Sequence, residues 1–278
     1  MTYSIVARDD ETGELGAAVQ SRSFGCGAVV PWVEPEVGAV ATQAYGEVSY
    51  GPLGLALLRA GKTAEQALAA LVAADPGRQY RQVAILGSDG DATVHVGDSC
   101  IQAAGFVRGD GFSAQANMVD SARVWEAMAE AFTSSSGSLA RRLLAALDAA
   151  EAAGGDWRGR QAGGIVVAPG EGRPWEREVD IRVDDHPEPL AELRRLLDMR
   201  EAYRGSWDPP GPSREQLAAL PELDQTWSAI FVAAGRGDVA HARELLRPLL
   251  ENEPRWGDYV RTLAERDLVP GIDALVEP

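Results

Sequence analysis

The order in which strand-like and helix-like segments follow one another restricts this fold more than any other feature of the chain. Alternating or short apolar runs predict strands over residues 3–8, 15–21, 38–43, 82–86 and 92–96, further short strands within 101–118, and strands again over 164–168 and 179–183. Helical spacing predicts helices over 52–60, 64–74, 122–132, 139–153 and 189–203. Their ends carry the expected chemistry. Thr63-Ala64-Glu65-Gln66 has the form of a capping box, Asp120 or Ser121 is placed to cap the third helix, and Gly61 and Gly154-Gly155 act as stops. Strands and helices therefore come in blocks. A doubly wound parallel sheet needs regular β-α alternation, so a layered sandwich of mostly antiparallel sheets is the better expectation.

The pattern changes after residue 204. Gly205-Ser206-Trp207-Asp208-Pro209-Pro210-Gly211-Pro212 has linker composition, and only helical segments follow, over 214–220, 225–234, 239–250 and 256–266. The predicted organisation is a main domain over 1–204, a Pro/Gly linker over 205–213 and a small all-helical extension over 214–278. One helical hairpin, 227–252, has the look of a tetratricopeptide unit, but one pair cannot make a solenoid, so a cap or docking module is expected.

Charge and cysteine usage exclude several classes. A net charge of −16 would repel a phosphate backbone, and the densest arginine stretch, Arg194 to Arg204, is interleaved with acids, so no nucleic-acid partner is expected. No apolar run reaches membrane-spanning length, and the first residues do not form a signal peptide, so no membrane partner and a cytoplasmic location are expected. Cys26 and Cys100 lack ligand spacing and read as buried free thiols. His95, His186 and His241 are scattered, so neither metal nor other cofactor is expected. The G-x-S-x-G elbow, the Walker loop, H-E-x-x-H and a strand-borne G-x-G-x-x-G are all missing from the sequence. The glycines of 105–111 read as a turn between strands.

Thr2, directly before the first strand, is the informative position. Removal of Met1 ahead of a small residue would leave Thr2 with a hydroxyl and an α-amine on one residue. An α-amine titrates near pH 8, low enough to serve as general base for its own hydroxyl without a histidine. By position alone, Thr2 reads as an ordinary first strand residue.

Further residues carry a resemblance. The opening Thr2-Tyr3-Ser4-Ile5-Val6-Ala7-Arg8-Asp9, then Thr12-Gly13-Glu14-Leu15-Gly16 and Ala18-Val19-Gln20-Ser21, resemble the start of the family known as domain of unknown function 1028. The likeness continues through Val30-Pro31-Trp32, residues 38–44, Tyr50-Gly51-Pro52, residues 75–78 and 81–83, Gln115 to Met118, residues 154–161 and Val183-Asp184-Asp185-His186-Pro187. It covers about residues 1–200. The resemblance implies an α+β fold, a four-layer αββα sandwich like that of the N-terminal-nucleophile (Ntn) hydrolases, and leaves the reaction unassigned. The opening is also similar, over a shorter stretch, to proteasome subunits and to the nucleophile strand of γ-glutamyltranspeptidases, which act on amide bonds through an acyl-enzyme.

The chain departs from those patterns in two places. Lys62, its only lysine, falls between two helices and does not match the proteasome's basic partner, and Gln115-Ala116-Asn117 has Ala where Gly is expected. The expected catalytic set is Thr2 as nucleophile with its own amine as base, Ser4 on the same strand face as an orienting group or rival nucleophile, and Ser21, Asn117 and Asp156 in support. Asp156 is expected to order either the amine or a nearby arginine. Gln20, Gln43, Arg158 and Gln161 are expected to bind substrate, and Arg158 and Arg160 either to read a substrate carboxylate or to pair with the acidic surface. The resulting expectation is a hydrolase cleaving an amide or related C–N bond of a small molecule, with homo-oligomers possible. The alternative is a non-catalytic small-molecule-binding or scaffold protein on a degenerate Ntn fold. A cell-wall-associated role is a third reading.

Overall fold

A computed structural model describes residues 2–205 and 212–276. Most of the linker expected over 205–213 therefore lies outside the described residues. The chain divides into two compact units, 1–194 and 195–278.

The strands in chain order are β1 (Thr2–Arg8), β2 (Leu15–Ser21), β3 (Pro31–Glu34), β4 (Gly38–Ala44), β5 (Arg81–Gly87), β6 (Ala92–Val96), β7 (Gly105–Gly109), β8 (Phe112–Asn117), β9 (Ala162–Ala168) and β10 (Val179–Val183). The helices are α1 (Tyr50–Arg59), α2 (Ala64–Ala74), α3 (Arg123–Ser134), α4 (Leu139–Ala152), α5 (Pro189–Gly205), α6 (Arg214–Ala218), α7 (Glu222–Gly235), α8 (Val239–Asn252) and α9 (Trp256–Glu265). Two antiparallel sheets result. One has six strands in the order β10-β9-β2-β1-β8-β7, the other four in the order β3-β4-β5-β6.

Alternation along β1 assigns the layers. Thr2, Ser4 and Val6 face one way, Tyr3, Ile5 and Ala7 the other. Val6 joins Ala17 and Val19 of β2 and Ala39, Ala41, Ala84 and Leu86 of the second sheet in one buried cluster, so its face lies between the sheets. On the outer face the Tyr3 hydroxyl donates to Glu151 of α4 at 2.6 Å, and Phe112 of β8 packs on Phe132 of α3 with ring centroids 5.0 Å apart. The outer face of the second sheet, Val40, Val83 and Ile85, is covered by Tyr50 and Leu55 of α1 and Ala67 and Leu68 of α2. The layers are thus α3/α4, sheet, sheet, α1/α2, an αββα sandwich. Burying each fully covered Ile or Leu side chain contributes about 1.5–3 kcal/mol.

Local sequence accounts for the element ends. Thr63 and Gln66 form the capping box of α2, and Asp238 Oδ1 accepts the His241 amide at the start of α8. At α3 the Ser121 hydroxyl accepts the Arg123 amide, and the helix begins at Arg123. β3 is a strand where the sequence reads as loop. It is an edge strand that opens on Pro31, the one place in a strand where a missing N–H costs no ladder bond.

The helical unit has a core of its own. Trp227, Ile230 and Phe231 of α7 pack with Leu246 of α8 and with Val260 and Leu263 of α9. Among the described residues no helix is long and apolar enough to cross a membrane.

Candidate functional site

The space between the sheets is apolar on the β2 side, whereas along β1 and β8 buried Ser4, Ser113, Gln115 and Asn117 make it polar up to Thr2. β1 is flanked on both sides there. Thr2 pairs with Ser21 of β2 and with Asn117 of β8. The inward parity of Thr2 and Ser21 brings their hydroxyl oxygens to 3.0 Å, and both residues line a cleft of about 230 Å³. Ser23, Cys26, Val29, Val30 and Val48 form much of its remaining wall, and Gln43 and Arg158 also line it.

Behind Thr2 lies a buried carboxamide network whose polarity is fixed by backbone. Gln82 Nε2 donates to the carbonyls of Ala116 at 2.9 Å and Gly105 at 3.1 Å. Carbonyls only accept, so the Gln82 oxygen must face the other way. There it accepts from Gln43 Nε2 at 2.7 Å and Asn117 Nδ2 at 3.0 Å. Those two nitrogens also approach the Thr2 carbonyl, at 3.3 and 3.5 Å. Gln43 Oε1 and Asn117 Oδ1 are consequently buried acceptors with no protein donor. Such an unmet acceptor costs about 1–3 kcal/mol.

The backbone is strained at the same two places. Ala44, after Gln43, has φ 71°, and Met118, after Asn117, has φ 57°. A left-handed non-glycine residue costs about 1–2 kcal/mol, and such outliers gather at functional sites.

The other expected residues sort as follows. Ser4 shares the Thr2 face but is wholly buried deeper between the sheets, where its hydroxyl accepts from Gln115 Nε2 at 2.7 Å, so it does not line the cleft. Asp156 lies beside an arginine, Arg158. Its carboxylate accepts the amides of Arg22 and Arg158, each at 2.9 Å, and the Arg158 guanidinium through Nε at 3.3 Å and Nη2 at 3.1 Å. It holds Arg158 against the cleft.

Two expectations are corrected. Gln20 pairs with Tyr3, so its side chain points to the helix-covered face, away from Thr2; its neighbour Ser21 is the inward residue. Its carboxamide is buried there with no partner for either polar atom. Gln161 does not line the cleft. It accepts from Arg22 Nη1 and donates to Asp185 Oδ1 at 3.0 Å, tying a surface turn together.

Sequence reasoning misses Gln82. A signal is present, because Gln82 shares the parity of inward Ala84 and Leu86, and it pairs with Gln43 across the strands. Cys26 lies in the wall, but burial first and the Asp184 carboxylate second push its thiol up to about 12, so it stays protonated and is no nucleophile at neutral pH. Burial, then Glu151, also raises the Tyr3 phenol well above its usual range, keeping it a neutral donor. Among the described residues no three His, Cys, Asp or Glu side chains gather as a metal site would need.

Comparison with known proteins adds the following. The model of the family of unknown function DUF1028 matches residues 2–193. The crystal structure of protein SPO2555 from Silicibacter pomeroyi, assigned to that same family model, is 34% identical, with a TM-score of 0.65, over 70% of this chain and 87% of that one. Anbu, an ancestral beta-subunit from Yersinia bercovieri, is 11% identical with a TM-score of 0.32, over 76% of this chain and 100% of that one. No curated protein matches.

Proposed function

The chain belongs to the DUF1028 family, whose function is unknown, and from its site we propose that it is an Ntn-type hydrolase cleaving an amide or related C–N bond of a small molecule. The observation that carries this reading is that Thr2, the residue after Met1, lines a cleft with its hydroxyl 3.0 Å from the Ser21 hydroxyl.

In this mechanism Met1 is removed and the freed Thr2 amine takes the proton of Thr2 Oγ1 as that oxygen attacks the substrate carbonyl carbon. Ser21 holds the hydroxyl in place. The C–N bond breaks, and the α-ammonium returns its proton to the departing nitrogen. Water then attacks the threonyl ester, giving a carboxylic acid and restoring Thr2. Gln43 and Asn117 offer their unpartnered oxygens to the protons of the α-ammonium. Gln82 is a positioning residue that turns those oxygens the right way.

Intact mass and turnover test the reading. One methionine should be lost, and Thr2→Ala should reduce hydrolysis by about a thousandfold or more, as losing a nucleophile does. Thr2→Ser should keep part of it. Full activity in Thr2→Ala would put the chemistry on another group, and complete retention of Met1 would leave a cleft that binds without cutting.

A further inference from the structure

The lining of the cleft beside Thr2 has two chemically distinct parts. One is aliphatic. Val29, Val30 and Val48 line it, and Val29 and Val48 are exposed at 41% and 43%. Three more large apolar residues stand exposed next to lining positions in the chain. They are Phe24 beside Ser23, Tyr45 between Ala44 and Gly46, and Trp157 beside Arg158. Exposed apolar side chains in a cleft lining mark a place where apolar matter binds.

The other part is cationic. Arg158 is the one lining residue, among those described, that carries charge at neutral pH, in a chain of net charge −16. Its partner Asp156 has a side chain with no exposure, whereas that of Arg158 is 32% exposed. The negative group is hidden behind the positive one, so the accessible charge is the arginine's. Asp156 grips two guanidinium nitrogens and two backbone amides, so the cation is already ordered before a ligand arrives. A planar guanidinium held this way suits a carboxylate.

We propose that the substrate is a small amide joining a short apolar acyl group to an amine that carries a carboxylate, with the acyl chain on the valine wall and the carboxylate on Arg158. This rests on the reading of Thr2 as nucleophile for the reaction, and on the cleft alone for the binding. Binding is therefore measured on the full chain carrying Thr2→Ala, which cannot turn over.

The probes for calorimetric titration are N-butanoylglycine, N-butanoylglycinamide, which lacks the carboxylate, and N-acetylglycine, which lacks two methylenes. N-Butanoylglycine is expected to bind about tenfold or more tighter than either of the others. Adding Arg158→Gln should erase the difference between acid and carboxamide and keep the difference between butanoyl and acetyl. Because that change also strips the buried Asp156 of its partner, Arg158→Lys is the companion, expected to keep part of the preference for the acid. Equal binding of acid and carboxamide, equal binding of butanoyl and acetyl compounds, or no saturable binding of any probe overturns the proposal. Tight, discriminating binding with no hydrolysis by the wild-type protein overturns the chemistry of Thr2 and leaves the ligand class standing. Hydrolysis of all three amides at equal efficiency does the reverse.

Discussion

At the scale of single residues, parity decides what a side chain can do. Thr2 and Ser21 meet because both point between the sheets, and Gln20, one position away, is lost to the site for the same reason. The strand period makes the shared face of Thr2 and Ser4 legible from sequence, but the composition of β2 does not fix which of Gln20 and Ser21 turns inward. Gln82 escapes a sequence reading because one glutamine at the start of an apolar strand looks like an end residue. Only the pairing with Gln43 shows that it is interior. Gln82→Met removes four buried hydrogen bonds and frees two carboxamides to rotate. Chemical denaturation should show a loss of about 3 kcal/mol. If the Gln43 and Asn117 oxygens stabilise the α-ammonium, the acid limb of the pH profile for kcat/KM should also move to lower pH. Cys26, with its thiol pushed up to about 12, should resist iodoacetamide in the native protein at pH 8 and react once the chain is unfolded. Rapid native alkylation followed by mass spectrometry would contradict this.

At the scale of elements, caps and ion pairs behave as local chemistry dictates. The box at Thr63 is readable because both partners lie within four residues. Thr63→Ala should cost about 1 kcal/mol, read as a lowered denaturation midpoint. β3 is not readable, because the run is short and opens on Pro31 after a Gly-rich stretch, and only the neighbouring β4 makes it a strand. The junction between α2 and β5 is held by Asp75. Its carboxylate accepts from Arg81 Nε at 2.8 Å, from the Gly77 amide and from the Tyr50 hydroxyl. The Arg81 hydrogen bond above all holds the Asp75 carboxyl below its ordinary range. A lowered folded-state pKa means that the stabilisation is complete above the unfolded value, near pH 4, and is lost as pH falls through the folded one. Asp75→Asn should therefore be less stable than wild type at pH 7, and the gap should close below about pH 4 in parallel urea titrations.

For the whole molecule, the block order of strands and helices points to a layered sandwich, and the two sheets with a helix pair on each outer face bear that out. The site is only half legible in the sequence. The strand that carries Thr2 is local, whereas the groups around it come from β2, β4, β5 and β8, and only sheet topology brings them together. The charge of −16 is a property of the entire chain. Self-repulsion of that size opposes compaction and is screened within about 10 Å at 0.1 M salt. Raising sodium chloride from 10 to about 150 mM, which shortens the screening length from about 30 to about 8 Å, should raise the melting temperature. A melting temperature that falls over this range would mean that attractive ion pairs outweigh repulsion.

Thr2 is 7% exposed and is laddered on both sides, to Ser21 and to Asn117. An aminopeptidase must draw an extended chain end into its own active site, and the bond between Met1 and Thr2 adjoins a strand already clamped in the middle of a sheet. If the proposed mechanism holds, removal of Met1 is a race against folding. The window is open while the chain is nascent and shuts when β1 docks between β2 and β8. Protein refolded with Met1 still attached should stay untrimmed however much aminopeptidase is added afterwards, while the same enzyme added to the unfolded chain should remove it. Activation would then be a matter of birth order, settled once in the lifetime of each molecule.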